Sequence, residues 1–98
     1  MRVVFSKRAQ REFAVAVAWW REHRERAPYL FEDEVMRAVK LLEAVPFAGA
    51  PGRDDRVSSV RRVVLQHTQY AVYYRVNESS GVVEVLRLWH TSRRPPKL

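Results

Sequence analysis

Apolar positions recur along this chain with two periods, one helical and one extended. From Lys7 to about Glu25, Ala9, Phe13, Ala16 or Val17, and Trp20 return at i, i+4, i+7/8 and i+11, the stripe of an amphipathic helix. Arg8, Arg11, Glu22 and Arg26 then face outward, and Trp19 lies about 100° round the helix from Trp20, at the edge of the stripe. A second stripe runs through Phe31, Val35, Ala38 or Val39, Leu42 and Val45. Pro28 suits its first turn, Glu32, Asp33 and Glu34 complement the dipole there, and Pro46 stops it. A short link between two such helices predicts an antiparallel helical hairpin.

The extended period brackets this hairpin. Arg2 to Phe5 is a short apolar run ending at Ser6, a strand followed by a helix cap. Phe47 to Ser59 collects Gly, Pro, Asp and Ser and reads as a loop. Three β-branched and aromatic runs follow between Val60 and Arg94, the last two separated by Asn77-Glu78-Ser79-Ser80-Gly81, a turn sequence. They predict a three-stranded antiparallel meander. The whole is an α+β domain over residues 1–98, order β-α-α-β-β-β, with the hairpin on one face of a mostly antiparallel sheet. The expected core is Phe13, Val17, Trp20, Phe31, Val35, Leu42, Val72, Tyr74 and Leu86. The tail from Arg93 to Leu98, with its two prolines, cannot easily extend a strand and is expected to be mobile or ordered by a partner.

Composition narrows the chemistry. With no cysteine, disulfides, thiolate catalysis and Cys-ligated metals are excluded. The net charge is +7 and lies in two regions. Residues 1–26 carry seven cations against three acids, and residues 51–98 carry nine against four. Such an excess implies an anionic partner, nucleic acid or an acidic protein segment. The longest apolar run, Phe13 to Trp20, is too short to span a bilayer, and the N-terminus lacks a signal-peptide layout, so a soluble cytoplasmic protein is expected.

The glycines at 49, 52 and 81 follow neither a phosphate-loop nor a dinucleotide pattern, so no cofactor is expected. His23, His67 and His90 lack metal-ligand spacing, so no metal is expected. Asp54-Asp55 and Glu32-Asp33-Glu34 read as loop solvation and helix-start electrostatics rather than paired catalytic carboxylates. Arg, His and Tyr remain, the residue types of metal-free RNA cleavage. That reaction needs a base for the 2′-hydroxyl, an acid for the leaving oxygen and cations around the phosphate. His90, Tyr73, Arg61 or Arg62, and Arg87 could supply these roles. In a regular last strand, however, Arg87 shares a face with Val83, Val85 and Trp89 while His90 shares the other with Leu86 and Leu88. The two point apart unless the strand ends or bulges near Leu88.

Several segments in fixed order carry a resemblance. They are Leu42-Glu-Ala-Val-Pro46 with Gly49, Val60-Arg61-Arg62, Tyr70-x-Val72-x-Tyr74-Arg75-Val76, and Val83-x-Val85-Leu86-x-Leu88-x-His90-x-x-Arg93. On these the chain resembles the RelE/ParE superfamily, the toxins of type II toxin–antitoxin modules. The resemblance implies a helical hairpin on an antiparallel sheet and one of two targets. RelE-like members cut mRNA on the ribosome, commonly with a tyrosine near the C-terminus; ParE-like members lack that set and poison DNA gyrase. Here Thr91 follows His90 and no tyrosine occurs after Tyr74, so the ParE-like branch is the closer likeness. The implied partners are a cognate antitoxin, bound in a hetero-oligomer, and gyrase, with the ribosome and mRNA as the alternative. An inactive relative that only binds its antitoxin is the third possibility. Arg61, Arg62, Arg75, Arg87, His90, Arg93 and Arg94 are the expected target contacts, and Trp19, Arg11 and Arg8 the expected antitoxin contacts.

Overall fold

A computed structural model describes residues 1–51 and 59–98. Gly52 and the Asp54-Asp55 pair lie outside the described residues. The elements are β1 (Arg2–Phe5), α1 (Lys7–His23), α2 (Leu30–Ala44), β2 (Ala50–Pro51), β3 (Val60–Val64), β4 (Tyr70–Asn77) and β5 (Val82–His90). They form one five-stranded sheet in the order β1-β5-β4-β3-β2, with β1 parallel to β5 and every other pair antiparallel. The helical hairpin packs on one face of that sheet, as its two apolar stripes require.

Ser6 starts α1. Its hydroxyl oxygen accepts from the Ala9 N–H at 3.1 Å, and the same hydroxyl donates to the Leu86 carbonyl at 3.0 Å, so the helix cap is tied to β5. The helix ends at His23, and Pro28 lies in the link rather than in the first turn of α2, which begins two residues later. Glu32 and Asp33 do occupy the first turn of α2, but Glu34 turns inward and is buried. Val45 falls beyond α2 and is exposed, because the stripe ends at Leu42.

Phe31, Val35, Ala38 and Leu42 of α2 are buried against Val72, Tyr74, Val83, Val85 and Leu88 of the sheet. Phe13, Val17 and Trp20 of α1 are partly buried against the same core. Leu86 is not in it. It packs with Val60, Ala71, Tyr73 and Trp89 on the opposite, helix-free face. The cause is a β-bulge: Tyr73 pairs with Arg87 but Tyr74 with Val85, leaving Leu86 as an extra residue. Beyond the bulge the alternation is re-phased, so Leu88 faces the helices where a regular strand would have pointed it away.

Two connections differ in how well their sequence announces them. The β4–β5 turn is the expected one, with Gly81 at φ 69° and the Ser80 N–H donated to the Asn77 side chain. The segment read as a loop after α2 contains the two-residue strand β2, whose Pro51 is tolerated because it sits on the sheet edge.

Candidate functional site

The meander brings the candidate cations together in a row on the helix-free face and separates them from the others. Cross-strand register aligns Arg62, Tyr73 and Arg87 directly across β3, β4 and β5. In the neighbouring row Arg75 pairs with Glu84 at 2.9 Å. Arg61, one residue from Arg62, turns to the helix side, where its Nη1 donates to the Gly49 carbonyl at 2.8 Å and its guanidinium lies 5.0 Å from the Phe47 ring centre. Arg61 thereby anchors the segment after α2.

Arg87 stands at the edge of β5, past the end of β1. Its Nη2 donates to Glu12 Oε2 at 2.8 Å and its Nε to Glu12 Oε1 at 3.2 Å, a bidentate ion pair that is largely buried. Glu12 also accepts the otherwise unpaired edge N–H of Leu88 at 3.0 Å. A third Arg87 donor reaches the Lys97 carbonyl at 2.8 Å, and the guanidinium lies 4.5 Å from the Trp89 ring centre. Trp89 carries Arg93 over its ring at 3.8 Å and donates its Nε1–H to the Arg94 carbonyl at 2.7 Å. The tail expected to be mobile or ordered by a partner is thus folded back along β5 by the chain itself.

His90 lies on the other side from Arg87. Its Nδ1 accepts the Ser92 N–H at 3.1 Å and is 2.7 Å from the Ser92 hydroxyl, which leaves the proton of the neutral ring on Nε2. Its ring meets the edge of Tyr70 at 5.2 Å. Burial pushes the Tyr70 phenol above its ordinary pKa against the opposing effect of the Arg93 cation. The bulge precedes Arg87, so it leaves His90 and Arg87 on opposite faces, as the regular alternation predicts.

His90 and Tyr70 line a cleft of about 600 Å³ between α1 and the end of β5. Ala16, Trp20 and Leu88 contribute apolar surface, and Arg11, Arg24 and Arg93 contribute cations. Glu12 is the one carboxylate in this described lining, and Arg87 neutralises it. Trp19 is 42% exposed, stacks on His23 at 4.7 Å and carries the Arg24 guanidinium over its ring at 4.7 Å. Of the expected antitoxin contacts, Trp19 and Arg11 therefore line the cleft. Arg8 is elsewhere, near the tail, with its Nη1 3.5 Å from the Lys97 carbonyl.

Sequence reasoning missed Glu12 and Glu34. Glu12 sits one position from Phe13 and four before Ala16, and that spacing could have placed an acid beside the buried stripe. Glu34 accepts the N–H groups of His67 and Thr68 at 3.1 and 2.8 Å, and so holds the β3–β4 connection. Nothing in the local sequence marks that contact. Among the described residues no group of His, Asp and Glu side chains could hold a metal ion, and no helix is long and apolar enough to cross a membrane.

Residues 3–95 match the family described as "ParE toxin of type II toxin-antitoxin system, parDE". No curated protein matches by sequence. Among solved structures, the chain is similar to one titled "Chromosomal ParDE TA system from P. aeruginosa", at 19% identity and TM-score 0.71, covering 92% of this chain and 95% of that one. It is also similar to a YoeB/ParE toxin from Agrobacterium tumefaciens, at 17% identity and TM-score 0.63, covering 92% and 98%. The isolated E. coli RelE toxin is similar at 20% identity and TM-score 0.61, covering 95% and 86%. At these identities the structural likeness speaks for the fold.

Proposed function

The chain belongs to the ParE toxin family of type II toxin–antitoxin systems, and on that premise we propose that it arrests growth by binding DNA gyrase. The observation that carries this reading is the division of the would-be catalytic groups between two faces. General acid–base cleavage requires its base, acid and cations to converge on one phosphate. Here Arg61 and His90 lie on the helix side, while Arg62, Tyr73 and Arg87 align on the other. Arg87 is moreover committed to Glu12 and to the Lys97 carbonyl. Arg62, Arg75, Arg87, Arg93 and Arg94, with Trp89 among them, suit a contact surface, since Arg and Trp carry binding energy without chemistry. Arg61 acts through the fold and His90 through the cleft.

Family membership implies a cognate antitoxin. The cleft, apolar within and cationic at its rim, fits an acidic amphipathic segment, with Trp19, Arg11 and Arg24 as its contacts in a toxin–antitoxin hetero-oligomer.

The alternative, a ribosome-dependent endoribonuclease, draws on the row that sets the Tyr73 phenol between Arg62 and Arg87. Purified toxin assayed separately for inhibition of gyrase supercoiling and for cleavage of ribosome-bound mRNA decides between them. The expected result is inhibited supercoiling, intact mRNA, and graded losses for Arg62→Ala and Arg93→Ala. Cleavage of mRNA that disappears in Tyr73→Phe or His90→Ala overturns the gyrase reading.

A further inference from the structure

We infer that residues Arg93–Leu98 form a releasable strap, closed over Trp89 and Arg87 in the free toxin and displaced when the helix-free face meets an acidic patch on its protein target. The strap itself is read from the geometry alone; the role of its release rests on the proposal that this face engages gyrase.

The strap is held by few bonds of one kind. The last main-chain N–H tying the tail to the sheet is that of Thr91, donated to the Gln69 carbonyl at 2.8 Å, and the Arg93 N–H closes a turn on the His90 carbonyl at 3.1 Å. Beyond Arg93 no main-chain N–H finds an acceptor among the described residues, and Pro95 and Pro96 have none to donate. The segment therefore cannot add to β5 as a sixth strand, although that edge is vacant beyond β1. Side-chain donors hold it instead, Trp89 Nε1 on the Arg94 carbonyl and Arg87 Nη1 on the Lys97 carbonyl, with Arg8 at the longer 3.5 Å. Bonds of this kind at an exposed surface open without disturbing the core.

Charge acts against closure. The strap carries Arg93, Arg94 and Lys97, and its main chain lies against Arg8 and Arg87; of these five cations only Arg87 has a carboxylate partner among the described residues. An acidic partner surface reverses that balance, pairing with the strap's cations while it uncovers beneath them a tryptophan and an arginine, the residue types that anchor protein interfaces. Leu86, half-buried beside Trp89, continues the uncovered strip as apolar surface.

Hydrogen exchange of the Trp89 indole N–H, followed by NMR on the full chain, reads the strap without any target. A chain ending at Ser92 should exchange this proton at least about tenfold faster than the wild type. The pair Arg8→Cys and Lys97→Cys, unique thiols in a cysteine-free chain, joined by a short cleavable cross-linker, should exchange it at least about tenfold slower. In the wild type it should exchange faster than the strand amides of β4. Exchange as slow as those amides would mean that the tail opens only with the whole fold, and the strap is then overturned. Against purified gyrase, the cross-linked toxin should lose at least about tenfold in potency and regain it when the linker is cleaved. Equal potency before and after cleavage overturns the role of release. Failure of the wild type to inhibit gyrase sinks the functional proposal, while the exchange measurement still decides the strap.

Discussion

Glu34 shows how much one side chain can carry. It is 6% exposed, yet it accepts the His67 and Thr68 N–H groups and lies 3.3 Å from the His67 Nδ1. Burial alone would raise its pKa, but the hydrogen bonds from His67 and Thr68 outweigh it and hold the carboxyl below the ordinary value. A depressed folded pKa adds stability above the unfolded value, about 4.3, and loses it as pH falls through the folded one. Denaturation followed from about pH 6 to about pH 3 should show this loss, and Glu34→Gln should flatten that part of the profile. The same substitution should cost about 1.5–3 kcal/mol near neutrality, the worth of hydrogen bonds to a charged acceptor. Gly49 is the second such residue. A Cβ there would sit 2.8 Å from the Arg62 carbonyl and 2.7 Å from the Tyr74 hydroxyl, which itself accepts the Gly49 N–H at 2.8 Å. Gly49→Ala should lower stability by about 1–3 kcal/mol in chemical denaturation, because backbone on one side cannot yield.

Among the elements, β5 is the one whose geometry governs both faces. Its bulge lets Val83 and Val85 join the helix-side core, then hands Leu86 and Trp89 to the other face and returns Leu88 to the core. The bulged carbonyl is held by the Ser6 hydroxyl, so the start of α1 and the phase of β5 are set together. Deleting Leu86, the extra residue, would restore plain alternation while keeping Val85 and Leu88 toward the helices and Arg87 and Trp89 on the other face. Such a chain should still unfold cooperatively, at a lower denaturant midpoint, because the Ser6 hydroxyl loses the Leu86 carbonyl. Point truncations should separate the two faces more gently. Phe31→Ala, at a position with no exposed surface, should cost about 3–5 kcal/mol, and Leu86→Ala less than about 2 kcal/mol, as denaturant midpoints would show.

For the molecule as a whole, charge and shape act together. Cations rim a cleft on the helix side and others line the sheet side, so two anionic partners can be met on two surfaces. Association with the antitoxin should slow as salt is raised, because steering is screened within about 8 Å at physiological ionic strength. Arg11→Ala and Arg24→Ala should reduce that salt dependence, whereas Arg62→Ala, on the far face, should leave it nearly unchanged. Stopped-flow measurement at several ionic strengths checks all three.

The two helical stripes, the cap at Ser6, the β-rich runs and the turn at Gly81 are local patterns, and local physics makes them legible in the sequence. Period, capping and turn chemistry depend on residues a few positions apart. Their order also determined the layer architecture, since two apolar stripes and a half-buried sheet bury each other in few ways. The opposite facing of Arg87 and His90 follows from strand parity and needed no more than that. The tertiary structure alone decided the rest. The bulge at Leu86 depends on partners in β4 and on Ser6, and it removed Leu86 from the core to which the sequence assigned it. Glu12 meets Arg87 across 75 residues and Glu34 meets Thr68 across 34, distances at which no spacing rule in the chain reports contact. Arg61 and Arg62, adjacent and alike in sequence, were given different work by the pleat, one holding the Gly49 carbonyl and the other facing the helix-free side. The fold was written in short-range pattern, whereas the surfaces were made by charges that only folding brings together.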